Sequence, residues 1–149
     1  MVNKAKIKGS RWEHDLVEML KEKVGGSKVK RIAGSGAIGT SLNEPLLQGD
    51  VVAKFIGFPS TFRIECKTGY GGDTQLTVKR EWLNKIKEEA SSSNSIPVLA
   101  CKFAGARKSD GVQYFVALDI ETFCGIINYV DDLKMEFDKE FIKNAESKS

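Results

Sequence analysis

Two apolar runs, Asp50 to Ile56 and Thr61 to Lys67, are separated by only Gly57-Phe58-Pro59-Ser60. Glycine, proline and serine favour turn geometry, so the runs read as the strands of an antiparallel hairpin. A lone hairpin is not stable in water and needs further layers around it. The flanking sequence supplies them. Residues 10–24, SRWEHDLVEMLKEKV, carry Trp12, Leu16, Met19, Leu20 and Val24 at helical spacing. Ser10 is the expected N-cap, Glu13 its capping-box partner and Gly25-Gly26 the stop. A short strand from Lys28 to Ala33 leads into the loop GSGAIGT, and GYGGD at 69–73 reads as a flexible loop. A second helix fits Val78 to Ala90, with Trp82, Leu83 and Ile86 on one face. Residues 96–103 and 112–119 read as strands around the basic loop AGARKSD. A last helix is expected at about 131–144, with Asp131 and Asp132 at its positive end and Leu133, Phe137 and Phe141 as its apolar stripe. The order helix, three strands, helix, two strands, helix predicts an α/β fold, with a central mixed five-stranded sheet flanked by helices.

The chain's 149 residues suit one domain, 1–149, and a hydrophobic fraction of 41% is enough for a packed core. No apolar stretch has the length of a bilayer span. The opening MVNKAKIKGS is basic without an apolar core, so no signal peptide is expected. Cys66, Cys101 and Cys124 are scattered and odd in number, which fits neither a disulfide framework nor a zinc pair. A reducing, cytoplasmic setting is the natural expectation. The net charge of +3 is unevenly spread. Met1–Thr40 holds nine basic and four acidic residues, whereas Asp119–Ser149 holds eight acidic and four basic ones. A basic front half suits a polyanion, and it also suits ordinary solvated faces.

Side chains alternate across a strand. In RIECK, 63–67, Ile64 and Cys66 therefore share one face, and Arg63, Glu65 and Lys67 the other. Asp50 opens the neighbouring strand, so the hairpin can bring Asp50 and Glu65 together at one end of the sheet with Lys67 beside them. Two close carboxylates raise one another's pKa, and a divalent cation relieves the repulsion. Oxygen-only ligands suit Mg²⁺ or Mn²⁺. A lysine beside a metal-bound water suits hydrolysis of a phosphodiester. The same residues also fit a surface ion pair, Glu65 with Lys67 or Arg63, next to a turn-proximal Asp50.

Five blocks in order, KGSRWEHDLVEML, RIAGSG, GDVVA, IECKT and PVLACKF, span about Lys8 to Phe103. Through them the chain resembles the archaeal-type Holliday junction resolvases of the PD-(D/E)XK nuclease superfamily. A bare D…E-x-K triplet is common, and the five ordered blocks are far more specific. The resemblance implies a restriction-endonuclease-like core and a homodimeric endonuclease that cuts branched DNA, a four-way junction above all. It implies Mg²⁺ or Mn²⁺, no small-molecule cofactor and no membrane. It assigns metal binding to Asp50 and Glu65, catalysis to Lys67, help in binding the metal, directly or through water, to Glu13, and a further ligand to the backbone carbonyl of Cys66. It places Ser35 at the scissile phosphate and Arg31 against DNA or the active site.

Without the resemblance, Glu13 is a cap, Ser35 a turn residue and Arg31 a solvated strand arginine. Lys8, Arg11, Lys28 and Lys30 are expected to extend the phosphate-binding surface, with Lys102, Arg107 and Lys108 adding to it from the second half. His14, the only histidine, reads as a packing or capping residue. Trp82 stands where related nucleases often carry a glutamine. It reads as core, with Gln75 the weak candidate for the polar contact. Restriction, repair and phage recombination nucleases share the acidic triplet. A non-catalytic junction-binding protein could keep the fold.

Overall fold

A computed structural model describes residues 4–32 and 50–149. The chain divides into two compact units, Met1–Leu118 and Asp119–Ser149. The described elements of the first are α1 (Lys4–Lys23), β1 (Lys28–Arg31), β2 (Val51–Lys54), β3 (Phe62–Thr68), α2 (Arg80–Ser92), β4 (Ile96–Lys102), a 3₁₀ turn (Lys108–Asp110) and β5 (Tyr114–Ala117). The strands form one sheet in the order β1-β2-β3-β4-β5. Strands β3 and β4 run parallel, and every other neighbouring pair is antiparallel. This is the mixed five-stranded α/β sheet that the sequence predicts, and α2 is the crossover that a parallel pair requires.

Register and alternation divide the sheet into two faces. Val51 pairs with Ile64, Ile64 with Val98, and Cys66 with Ala100, so these residues share a face. Val29, Val51, Ala53, Ile64, Val98 and Ala100 on it are buried, as are Trp12, Leu16 and Val17 of α1. The Trp12 indole N–H donates to the Ala100 carbonyl at 3.0 Å, which fixes α1 to the sheet. Its ring stacks on Tyr114 with centroids 5.1 Å apart. On the opposite face Leu99 and Cys101 pack with Trp82 and Ile86 of α2.

Three sequence expectations change. Helix α1 begins at Lys4 rather than at Ser10. Ser10 and Glu13 therefore lie inside the helix and cannot form a capping box. Val17 is buried where Val24 was expected, because Val24 lies beyond the end of the helix. In the second unit, helix α3 spans Ile120–Ser147, starting well before Asp131. The Asp119 carboxylate caps it by accepting from the Thr122 N–H at 2.6 Å, which is ordinary N-cap chemistry. No residue of α3 is buried. No helix among the described residues is long and apolar enough to cross a membrane.

Candidate active site

Asp50 stands at the head of β2. Its N–H donates to the Ile64 carbonyl at 3.0 Å, and its own carbonyl accepts from the Ile32 N–H at 2.9 Å. The backbone is thus tied to both neighbouring strands. The side chain reaches along the hairpin, where Oδ2 accepts from the Cys66 N–H at 2.8 Å. Asp50 is therefore anchored on the residue that lies between Glu65 and Lys67.

Glu65 lies on the α2 side of β3 and is 6% exposed. Its carboxylate meets Lys67 Nζ at 2.9 Å and Lys85 Nζ of α2 at 3.9 Å. Lys67 Nζ also sits 4.9 Å from the centroid of the Trp82 ring, within cation–π range. Burial disfavours the charged ammonium of Lys67. The hydrogen bond and charge of Glu65, with smaller contributions from Tyr70 and Asp50, outweigh it and hold the lysine above its ordinary pKa.

Trp82 is itself met edge-on by Tyr70 at 4.5 Å. Tyr70 belongs to the GYGGD loop, in which Gly69 and Gly71 adopt φ of +87° and +132°. A Cβ at Gly71 would come within 2.8 Å of the Gln75 carbonyl oxygen, so the loop needs glycine there.

Glu13 projects from α1 to the end of β1, where its Oε2 accepts from Arg31 Nε and Nη2 at 3.2 and 3.0 Å. Arg31 Nη2 also donates to Ser10 Oγ at 2.8 Å. The Cys66 thiol is pushed well above the ordinary cysteine range, first by burial and then by the charges of Asp50, Glu13 and Glu65. The charges of Asp50, Glu13 and Glu65 thus all act on Cys66 in the same direction.

A cavity of about 410 Å³ opens beside them, lined by Lys8, Gly9, Cys66, Lys67, Thr68, Gly69 and Tyr70. Arg11 and Lys102 line a neighbouring cavity. Lys28 and Lys30 line a different one, over β1 and β2 with Lys21 and Lys54. Arg107 and Lys108 are exposed at the 3₁₀ turn, where Arg107 pairs with Asp110 at 3.7 Å. His14 is exposed on α1, and Gln75 is exposed after the glycine loop. Ser35 lies outside the described residues.

Residues 4–145 match the family described as "Phage putative PDDEXK endonuclease". The chain belongs to this endonuclease family. It is also similar to a solved structure, the 1.6 Å structure of Hjc, a Holliday junction resolvase from the archaeal hyperthermophile Archaeoglobus fulgidus. The identity is 20%, the match covers 75% of this chain and 84% of that chain, and the TM-score is 0.47. No curated protein matches the sequence.

PDDEXK nucleases generally use divalent metals. Among the described residues, no group of three or more His, Cys, Asp or Glu side chains is gathered that could hold a metal ion. The donor chemistry nevertheless fits a hard cation. Mg²⁺ is typically held by one or two carboxylates, with water and substrate phosphate completing its shell. Asp50 and Glu65 flank Cys66, and the thiol, kept protonated, contributes no competing soft ligand.

Beside the candidate site, Lys85 escapes sequence reading, whereas Trp82, expected as core, is buried in the core. Lys85 and the Trp82 ring both lie against the Glu65–Lys67 pair from α2. The sequence signal for Lys85 is helical phase: Trp82, Lys85, Ile86 and Glu89 recur at three- and four-residue spacing.

The thiols give a direct check on the burial of the site. Cys124 is exposed, Cys66 is pushed up as described, and Cys101 is pushed up to about 11 by burial. Raised pKa values leave Cys66 and Cys101 as protonated thiols at pH 8. In the native protein, a colorimetric disulfide reagent at pH 8 should titrate one thiol promptly and all three after denaturation. Prompt reaction of a Cys124→Ser variant would contradict this picture.

Proposed function

We propose that this endonuclease is metal-dependent, cuts branched DNA, and resolves four-way junctions by paired phosphodiester hydrolysis. The convergence of Asp50, Glu65 and Lys67 around Cys66, beside an open cavity, carries the reading. The five ordered sequence blocks support the junction substrate. The family match runs through both compact units, and we take residues 1–149 as one nuclease domain.

Asp50, Glu65 and the Cys66 backbone carbonyl would hold Mg²⁺ or Mn²⁺, with Glu13 close by. Bound there, the ion supplies a Lewis acid and lowers the pKa of water. Hydrolysis forms a bond from water oxygen to phosphorus and releases the 3′ oxygen, leaving 5′-phosphate and 3′-hydroxyl ends. Lys67, a cation facing the cavity, offsets the negative charge that grows on the phosphoryl oxygens. Arg31 orients Glu13, and Ser35 contacts the scissile phosphate.

Paired cuts on opposed strands suit a two-fold dimer. Helix α3 offers a surface for one. Phe123, Ile127, Val130, Phe137 and Phe141 are exposed and fall on a 3,4-residue repeat, with Lys134 filling the one polar place. That is the seam spacing of paired helices.

Four-way junction, flap and plain duplex should be incubated with Mg²⁺ or Mn²⁺ and the cuts mapped. Symmetric paired nicks confined to the junction are expected. Equal cleavage of all three would remove the junction assignment, and tight junction binding without nicking would make this a binding protein. Asp50→Asn keeps an oxygen to accept from the Cys66 N–H, so it should fold normally and lose on the order of 10²-fold or more in cleavage rate. Asp50→Ala also orphans that N–H and should cost about 1–3 kcal/mol of stability by denaturant titration.

Trp82→Leu removes the cation–π contact to Lys67, worth about 0.5–2 kcal/mol. It should lower kcat by about 2- to 30-fold with little change in KM. Trp82→Phe keeps a ring and should retain most of the rate. Equal rates in both variants would remove Trp82 from the site.

For the dimer, Phe137→Glu with Phe141→Glu should convert a dimeric species to monomer in light scattering. An unchanged mass would place the interface elsewhere.

A further inference from the structure

A second cavity adjoins the one beside Lys67, and Lys8 and Thr68 line both. The second cavity, of about 170 Å³, is lined by Lys8, Arg11, Thr68, Lys102, Ala104 and Gly105. Its walls hold three cations and, among the described residues, no acid. Each cation comes from a rigid element. Lys8 and Arg11 are three residues apart on α1, and so project from one side of the helix. Lys102 ends β4, in register with Thr68 of β3 and Tyr114 of β5.

Lys102 is also held in place. Its Nζ lies 6.0 Å from the Trp12 ring centroid and 5.9 Å from that of Tyr114, over the stacked pair that packs α1 on the sheet. The Thr68 hydroxyl donates to the Lys102 carbonyl at 3.1 Å, which joins the ends of β3 and β4. An ammonium stacked on aromatic faces keeps donors for an incoming anion and loses less freedom on binding than a free lysine.

Three like charges placed together repel. Among the described residues no carboxylate lines the notch with them, in contrast to Lys67, Lys85 and Arg31, which are all paired with Glu65 or Glu13. The notch is therefore complementary to an external anion of small size and high charge density.

We propose that the notch formed by Lys8, Arg11 and Lys102 binds a phosphate of the cleaved strand that neighbours the scissile one. This rests on the nuclease reading above and deepens it by giving the substrate strand a direction across the sheet. The strand passes Lys67, crosses Thr68 and leaves over the Trp12–Tyr114 stack. The contact is to the phosphodiester backbone, so it fixes register without reading sequence.

The test uses the full-length protein and a fluorescent four-way junction, without divalent ions, so that binding is read apart from cleavage. Parent, Arg11→Gln, Lys102→Gln, the double variant and Lys102→Arg are titrated at several salt concentrations. Each lost phosphate contact should reduce the slope of log affinity against log salt by about 1. Lys102→Arg should keep the parent slope. The junction then carries one neutral methylphosphonate at a time along each strand. One position is expected to weaken the parent and leave the double variant unaffected, which locates the phosphate on the 5′ or 3′ side of the cut.

Unchanged slopes, or methylphosphonate effects equal in parent and double variant, would overturn the notch even in an active nuclease. A parent that binds with the expected slopes and never cuts would overturn the nuclease reading and leave the notch standing. Equal melting temperatures of parent and variants are the control for folding.

Discussion

Strand β3 lies between two strands of its sheet and beneath two helices, yet it carries Arg63, Glu65 and Lys67 on one face. That constraint governs the rest of the first unit. Strand alternation allows no other placement, since moving the charges to the other face would bring Ile64 and Cys66 out of the α1 core. Charges in such a place must be compensated within the protein. Arg63, 2% exposed, lies in the field of Glu89. Glu65 is met by Lys67 and Lys85. Helix α2 thus has two tasks along its length. Trp82, Ile86 and Ala90 bury apolar area, and Lys85 and Glu89, on the same side, answer the charges of β3.

The hairpin and the faces of its strands were legible in the sequence because they rest on local chemistry. A short connection, 55–61 in the structure rather than the four residues 57–60, sets the pairing, and a period of two sets the faces. The start of α1 was not legible. Ser10-x-x-Glu13 is a capping-box spacing, but three residues is also the separation of neighbours on one side of a helix interior. Both side chains turn to Arg31, a contact between distant parts of the chain that no local pattern encodes. The last helix was misplaced for a related reason. Asp119 and Asp131 both precede helical sequence, and acids at the start of a segment do not tell an N-cap from a residue further along. The same limit applies to the site. Asp50, Glu65 and Lys67 follow from the hairpin, whereas the ring of Trp82 over Lys67 depends on how α2 lies across β3 and β4.

Basic residues from both halves of the first unit fall into distinct groups in space. Arg31, Lys67 and Lys85 hold carboxylates, so their charge is directed inward and the acids of the site are restrained before any substrate arrives. Lys8, Arg11 and Lys102 line a notch that holds no acid among the described residues. Lys28, Lys30 and Lys54 share a strand face over β1 and β2, where Lys28 stands opposite Lys54. Like charges opposite one another on antiparallel strands cost stability.

The groups meet at the β3–β4 edge, where Thr68 follows Lys67 in the chain and touches Lys102 through its hydroxyl. Moving one residue along β3 thus passes from a cation that a carboxylate holds to a cavity lined by three cations and, among the described residues, no acid. A phosphodiester strand is a row of equal charges, and it is the kind of partner for which such a change in environment would matter. The phosphate at Lys67 would meet polarised, restrained groups, while its neighbour would meet the cations Lys8, Arg11 and Lys102. Binding and bond breaking would then draw on different residues of the same edge.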